Sequence, residues 1–157
     1  MTEVEPTDDS VDAIADALLV VSRLLVAISA RSIAGVDHTL TIPQFRALVI
    51  MSNVGPVKLT SLARLLGLLP DTVAPMVQRL DRAGLVMRAD SARPRDTVVG
   101  LSRRGQTIVD KVTLLRRAEI ASIVSMMPLG QRRELVAALG AFASASGESV
   151  VDVDDLL

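Results

Sequence analysis

The stretch from Thr60 to Gly84 constrains the fold most. In SLARLLG, Leu62, Leu65 and Leu66 recur at helical spacing, Thr60 stands ahead of them as a capping residue, and Gly67 suits a left-handed C-terminal turn. After Leu68 and Leu69, PDTVAPMVQRLDRAG places Val73, Val77 and Leu80 on one face with Met76 beside it, and Gly84 terminates the pattern. Two helices joined by a short glycine-containing turn form a helix-turn-helix. Pro75 complicates the second helix. It has no N–H, and its ring crowds the preceding turn, at a cost of about 3 kcal/mol in a helix interior but little in the first turn. The sequence therefore predicts a late-starting second helix, beginning at Thr72 or after, with Leu68 to Asp71 as an extended turn.

The flanks supply longer apolar stripes. Ile14, Ala17, Leu18, Val21, Leu24, Leu25 and Ile28 mark a long amphipathic helix, with Asp9 or Ser10 as N-cap and Gly35 as its stop. Thr41-Ile42-Pro43 opens a second helix through Phe45, Leu48, Val49 and Met51, which ends within Asn53 to Pro56. Beyond the helix-turn-helix, LVMR and TVVGL flank the polar segment ADSARPRD and read as a β-hairpin. Ser102 then caps a long helix carrying Ile108, Val109, Val112, Leu115, Ile120, Ile123 and Val124; Pro128 to Gly130 breaks it, and Leu135, Val136, Leu139 and Phe142 mark a final helix. The fold class is mainly α with a small β-hairpin wing: a winged helix-turn-helix core flanked by N- and C-terminal dimerisation helices. The divisions are an acidic disordered arm (1–10), a first dimerisation helix and loop (11–40), the winged helix-turn-helix (41–104), C-terminal dimerisation helices (105–147) and an acidic tail (148–157).

With no cysteine and one histidine, thiol catalysis, disulfides and cysteine-zinc sites are excluded, and an enzyme reading has little to work with. Nothing resembles a Walker loop, a nucleotide-binding glycine fingerprint, a Ser-His-Asp set or an HExxH helix, so no cofactor is expected. The absence of tyrosine and tryptophan removes stacking platforms for single-stranded nucleic acid. The richest apolar stretch, Ala13 to Ala30, is interrupted by Asp16 and Arg23, and the acidic N-terminus is unlike a secretory signal. Neither a membrane span nor export is expected, and the cytoplasm is the expected compartment. The formal net charge is only −1, but the acids gather at the two ends, whereas Lys58 to Gly105 holds nine bases against four acids. That middle is net +5 by difference, the footprint of a nucleic-acid face.

Over roughly residues 12–147 the chain resembles the MarR family of transcription factors. TIPQFRALVIM looks like that family's helix leading into the motif, VKLTSLARLLGLLPDTVAPMVQRLDRAGLV resembles its helix-turn-helix, and VVGLSRRGQTIVDKV matches its exit from the wing. The resemblance implies a homodimer held by the first, fifth and sixth helices, two winged lobes on a pseudo-palindromic operator in double-stranded DNA, and repression relieved by a small apolar or aromatic ligand. The candidate DNA-binding residues are Asp71, Thr72, Pro75, Gln78, Arg79 and Arg82 in the second helix of the motif, and Arg93 and Arg95 in the wing. An amide such as Gln78 fits adenine edges, and a guanidinium such as Arg79 fits guanine or phosphate. Arg95 is placed for the minor groove.

The chain departs from the family at two places. Ala74 and Pro75 stand where members commonly carry serine and arginine. Arg93, Pro94 and Arg95 stand where members show an aspartate and two arginines, leaving Asp90 and Asp96 as the nearby acids. The alternative reading is thus a winged-helix dimer with a degenerate recognition helix, acting through a protein or small-molecule partner. His38 lies in the loop near which this family often binds ligands; most solitary loop histidines are solvated bystanders. The six methionines, Met126 and Met127 among them, read as fillers of core gaps.

Overall fold

The computed structural model describes residues 10–89, 91–93 and 96–147; the acidic arm up to residue 9, Asp90, Pro94, Arg95 and the acidic tail lie outside the described residues. Among the described residues the order is α1 (Val11–Val36), α2 (Ile42–Val54), β1 (Val57–Lys58), α3 (Leu59–Leu66), α4 (Pro70–Arg82), β2 (Val86–Ala89), β3 (Val98–Leu101), α5 (Arg103–Ser125) and α6 (Leu129–Ser146). The fold is mainly helical with a small antiparallel sheet, as the apolar spacing predicts.

Local capping chemistry sets several boundaries. Ser10 caps α1, its Oγ accepting from the Ala13 N–H at 3.2 Å. Gly35 does not stop that helix, which runs to Val36 and hands over to Asp37. There the N–H and hydroxyl of Thr39 both donate to Asp37 Oδ1, at 2.9 and 2.6 Å, and hold the Asp37 carboxyl below the usual carboxylate range. α2 opens with a full capping box: Thr41 Oγ1 accepts from the Gln44 N–H, and the Gln44 side chain accepts from the Thr41 N–H at 2.8 Å. Thr41→Ala is expected to lower stability by about 1 kcal/mol in urea denaturation; an unchanged midpoint would show that the cap is redundant.

Three further expectations need correction. The sheet has three strands in the order β1-β3-β2, because Val57 and Lys58 pair with Val99 and Val98 on the outer side of the hairpin. α3 begins at Leu59, with Lys58 at its N-cap and no side-chain cap bond, not after Thr60. The reason is tertiary: the Leu59 N–H donates to Thr97 O at 2.9 Å, so the residue before β3 answers the first N–H of a helix that starts one residue ahead of Thr60. α4 begins at Pro70, not at Thr72 or later, and carries Pro75 in its interior. Pro70 is pre-set for the first helical position, and Thr72 and Val73 N–H both donate to Leu69 O. Beyond it Val73, Met76, Val77 and Leu80 are buried. Roughly 1.5–3 kcal/mol per buried side chain outweighs the proline cost of about 3 kcal/mol, so the helix is kept through Pro75.

The core joins α2, α3, α4 and the sheet to one side of α5 through Leu48, Met51, Leu62, Val77, Leu80, Leu85, Val99 and Val112. α1 packs along α5 with an ion pair between Arg31 and Glu119, but only Ile28, Ser32 and Ile33 of its 26 residues are buried. By length and composition α1 is long and apolar enough to cross a membrane, which the interruptions at Asp16 and Arg23 do not announce. No residue of α6 is buried. Arg132 fastens its start to the end of α5, donating to Met127 O at 2.8 Å and Ser125 O at 2.6 Å.

Candidate nucleic-acid interface

α4 is seated by its turn. Gly67 adopts φ 69° and ψ 29°, the left-handed region open to glycine without a Cβ penalty, and the next N–H, of Leu68, reaches back to Ala63 O at 2.9 Å. The buried side of α4 fixes what its other side presents. With Val73, Met76, Val77 and Leu80 inward, the residues at helical spacing on the far side are Asp71, Pro75, Gln78 and Arg82, and all four are exposed. Thr72 and Arg79 are exposed on one flank of that row. The structure thus brings six of the eight sequence-derived candidates onto one outward helix surface. Ala74 is half-buried and packed against the core, so of the two departures in α4 it is Pro75 that stands on the outward row.

Beside the row lies a concavity of about 460 Å³ lined by Thr41, Pro43, Gln44, Leu68, Thr72, Pro75, Met76 and Arg79. Its walls are the start of α2 and the Arg79 flank of α4, and they are mostly carbon. Thr41, Pro43, Gln44, Leu68 and Met76 were not among the candidates; the concavity they line exists only because tertiary packing brings α2 against α4 and its preceding turn.

Arg93 is exposed in the loop between β2 and β3, where its carbonyl accepts from the Asp96 N–H at 2.9 Å. Asp96 takes Lys58 of β1 as partner, Nζ to Oδ1 at 3.2 Å, which fastens the foot of the wing to the strand before α3. That pair spans 38 residues of sequence. Arg95, the other wing candidate, and Asp90 lie outside the described residues. At the exit of the wing Ser102 Oγ donates to Gly84 O at 2.7 Å and accepts from the Gly105 N–H at 3.0 Å, tying the first turn of α5 to the end of α4. His38 is exposed; among the described residues, no cluster of three or more potential metal ligands occurs.

The MarR family model matches residues 40–95. A solved structure of RV1404 from Mycobacterium tuberculosis is 52% identical, with 91% of this chain and 99% of that one covered and a TM-score of 0.80. The Mycobacterium tuberculosis MarR family protein RV2887 is 24% identical over 87% of this chain and 96% of its own, with a TM-score of 0.66. MepR, a transcription regulator of the Staphylococcus aureus multidrug efflux pump MepA, is 19% identical over 83% and 96%, with a TM-score of 0.72. These last two likenesses are of fold. No curated protein matches the chain.

Proposed function

The chain belongs to the MarR family and has the fold of its transcriptional regulators, and from that premise we propose that it works in the cytoplasm as a homodimer that binds duplex DNA at a pseudo-palindromic operator and represses transcription. The observation that carries the reading is the outward surface of α4, where Asp71, Gln78, Arg79 and Arg82 are displayed together beside a wing that presents Arg93. Amide and guanidinium groups at these places have the geometry for base edges and phosphates. The exposed apolar faces of α1 and α6 support the dimer.

Relief by a small apolar or aromatic acid belongs to the same reading. It is supported by two buried polar atoms, Ser32 Oγ on α1 and Arg116 Nε on α5, that have no hydrogen-bond partner among the described residues. Burial pushes the Arg116 guanidinium below its ordinary pKa, and an acidic ligand would supply a counter-charge to it.

Electrophoretic mobility shift at several salt concentrations tests the proposal. Arg79→Ala and Arg82→Ala are each expected to weaken binding and to lower the slope of log K against log salt by about one. A steep slope with no preference among sequences would favour the degenerate-scaffold reading, for which the interior Pro75 is the specific observation. No duplex binding at low salt would sink both.

A further inference from the structure

Pro75 occupies the middle of the outward row of α4, between Asp71 one turn before and Gln78 one turn after. A side chain at that place in a helix-turn-helix meets the floor of the major groove. Its ring has no donor and no acceptor, and its backbone has no N–H, so no hydrogen bond to a base edge originates there. The concavity continues the same chemistry sideways: Leu68, exposed to 37%, lines it together with Pro75, Pro43 and the buried Met76. Arg79 lines it too, a cation fitted to an adjacent phosphate. In the major groove the one apolar feature that differs between bases is the C5-methyl group of thymine.

We infer that Pro75, with the exposed Leu68 beside it, reads a thymine methyl, so that this recognition helix has exchanged polar base reading for apolar reading at its centre. The inference rests on the proposed DNA binding and deepens it, since it names the base feature that the surface selects. Charge complementarity argues for this occupant: the apolar patch is bordered by Arg79 and lies on the row that ends in Arg82, and a duplex presents methyl groups between two lines of phosphate. Pro75 is then a specificity residue, and its presence in the helix is no sign of decay.

The experiment is selection of duplexes from a random pool by the full-length protein, followed by replacement of each thymine in the selected site by uracil, which removes only the methyl. At one or more positions the replacement is expected to weaken wild-type binding about fourfold, the value of one buried methyl group. The same replacement should leave Pro75→Ser unaffected. That variant is not at risk of unfolding, because serine is a far better residue than proline in a helix interior. Sequence-specific binding that is indifferent to uracil everywhere overturns the inference and leaves the proposed function standing. Binding that is indifferent to uracil but competed by benzoate in the wild type and not in Pro75→Ser also overturns it, and assigns the concavity to a small acid. Absence of any selected duplex overturns the inference and the proposed function together.

Discussion

Gly105→Ala is expected to destabilise the protein by about 3 kcal/mol, far more than the same exchange at any solvent-facing glycine of its helices. A Cβ at Gly105 would fall 2.1 Å from the carbonyl oxygen of Leu85 and 2.7 Å from Leu101 Cδ1. The leucine tip has room to adapt, but the carbonyl does not. Leu85 O accepts from the Ser102 N–H at 3.1 Å, and the Leu85 N–H donates to Leu80 O at 2.9 Å, so moving it disturbs the end of α4 and the base of the wing at once. Leu85 itself is 1% exposed and leaves no slack behind it. Glycine at this place therefore lets α5 close on Leu85, the residue that leads from α4 into β2. Together with the Ser102 hydroxyl it makes one rigid joint of the recognition helix, the wing and the long helix that leads away from them. Gly130→Ala supplies the comparison, since a Cβ there meets nothing within 4 Å. Urea denaturation of the two variants decides the matter: a Gly105→Ala midpoint no lower than that of Gly130→Ala would show that the joint is loose. DNA affinity should fall with the Gly105 variant even where it is still folded, because wing and helix are no longer held to one register.

The same joint shows why part of this molecule was legible in its sequence. Ser102 three residues before Gly105, Thr41 three before Gln44, and glycine at 67 and 84 act within a single turn of chain, so local chemistry announces them. The corrections to the sheet and to the starts of α3 and α4 come from contacts between distant segments. β1 is two residues long, too short for an alternating pattern, and exists because β3 has an open edge for it. The first N–H of α3 is answered by Thr97, which no spacing rule connects to Leu59. The start of α4 turned on a contest between proline's local cost and the burial of Val73, Met76, Val77 and Leu80, and tertiary packing won. The candidate site divides the same way. Helical periodicity alone puts Asp71, Pro75, Gln78 and Arg82 in one row, whereas the pairing of Lys58 with Asp96 and the concavity between α2 and α4 needed the fold to bring them together.

Leu139→Asp combined with Phe142→Asp is expected to turn a dimer into a monomer. α6 has no buried residue, yet Val136, Leu139 and Phe142, at three-residue spacing, are 72%, 50% and 57% exposed. α1 adds a second unpartnered face with Ile14, Val21, Leu24 and Leu25. In the proposed homodimer a symmetric partner covers both apolar helix faces. Each large side chain so covered contributes roughly 1.5–3 kcal/mol, and two-fold symmetry doubles every contribution. An aspartate placed in that seam instead carries a charge with no partner, a loss of several kcal/mol per site. Neither residue belongs to the core of one chain, so helicity should survive while the mass by light scattering halves. Leu69→Asp is the matched control: Leu69 is 73% exposed but precedes α4, away from both faces, and should leave the mass unchanged. The functional consequence follows from geometry. Two lobes on one operator bind with the benefit of a linked second contact, and its loss lowers apparent DNA affinity by roughly a hundredfold or more. A double variant that keeps its dimer mass would place the interface elsewhere than on α6, and one that turns monomeric yet binds the operator undiminished would show that each lobe reads DNA alone.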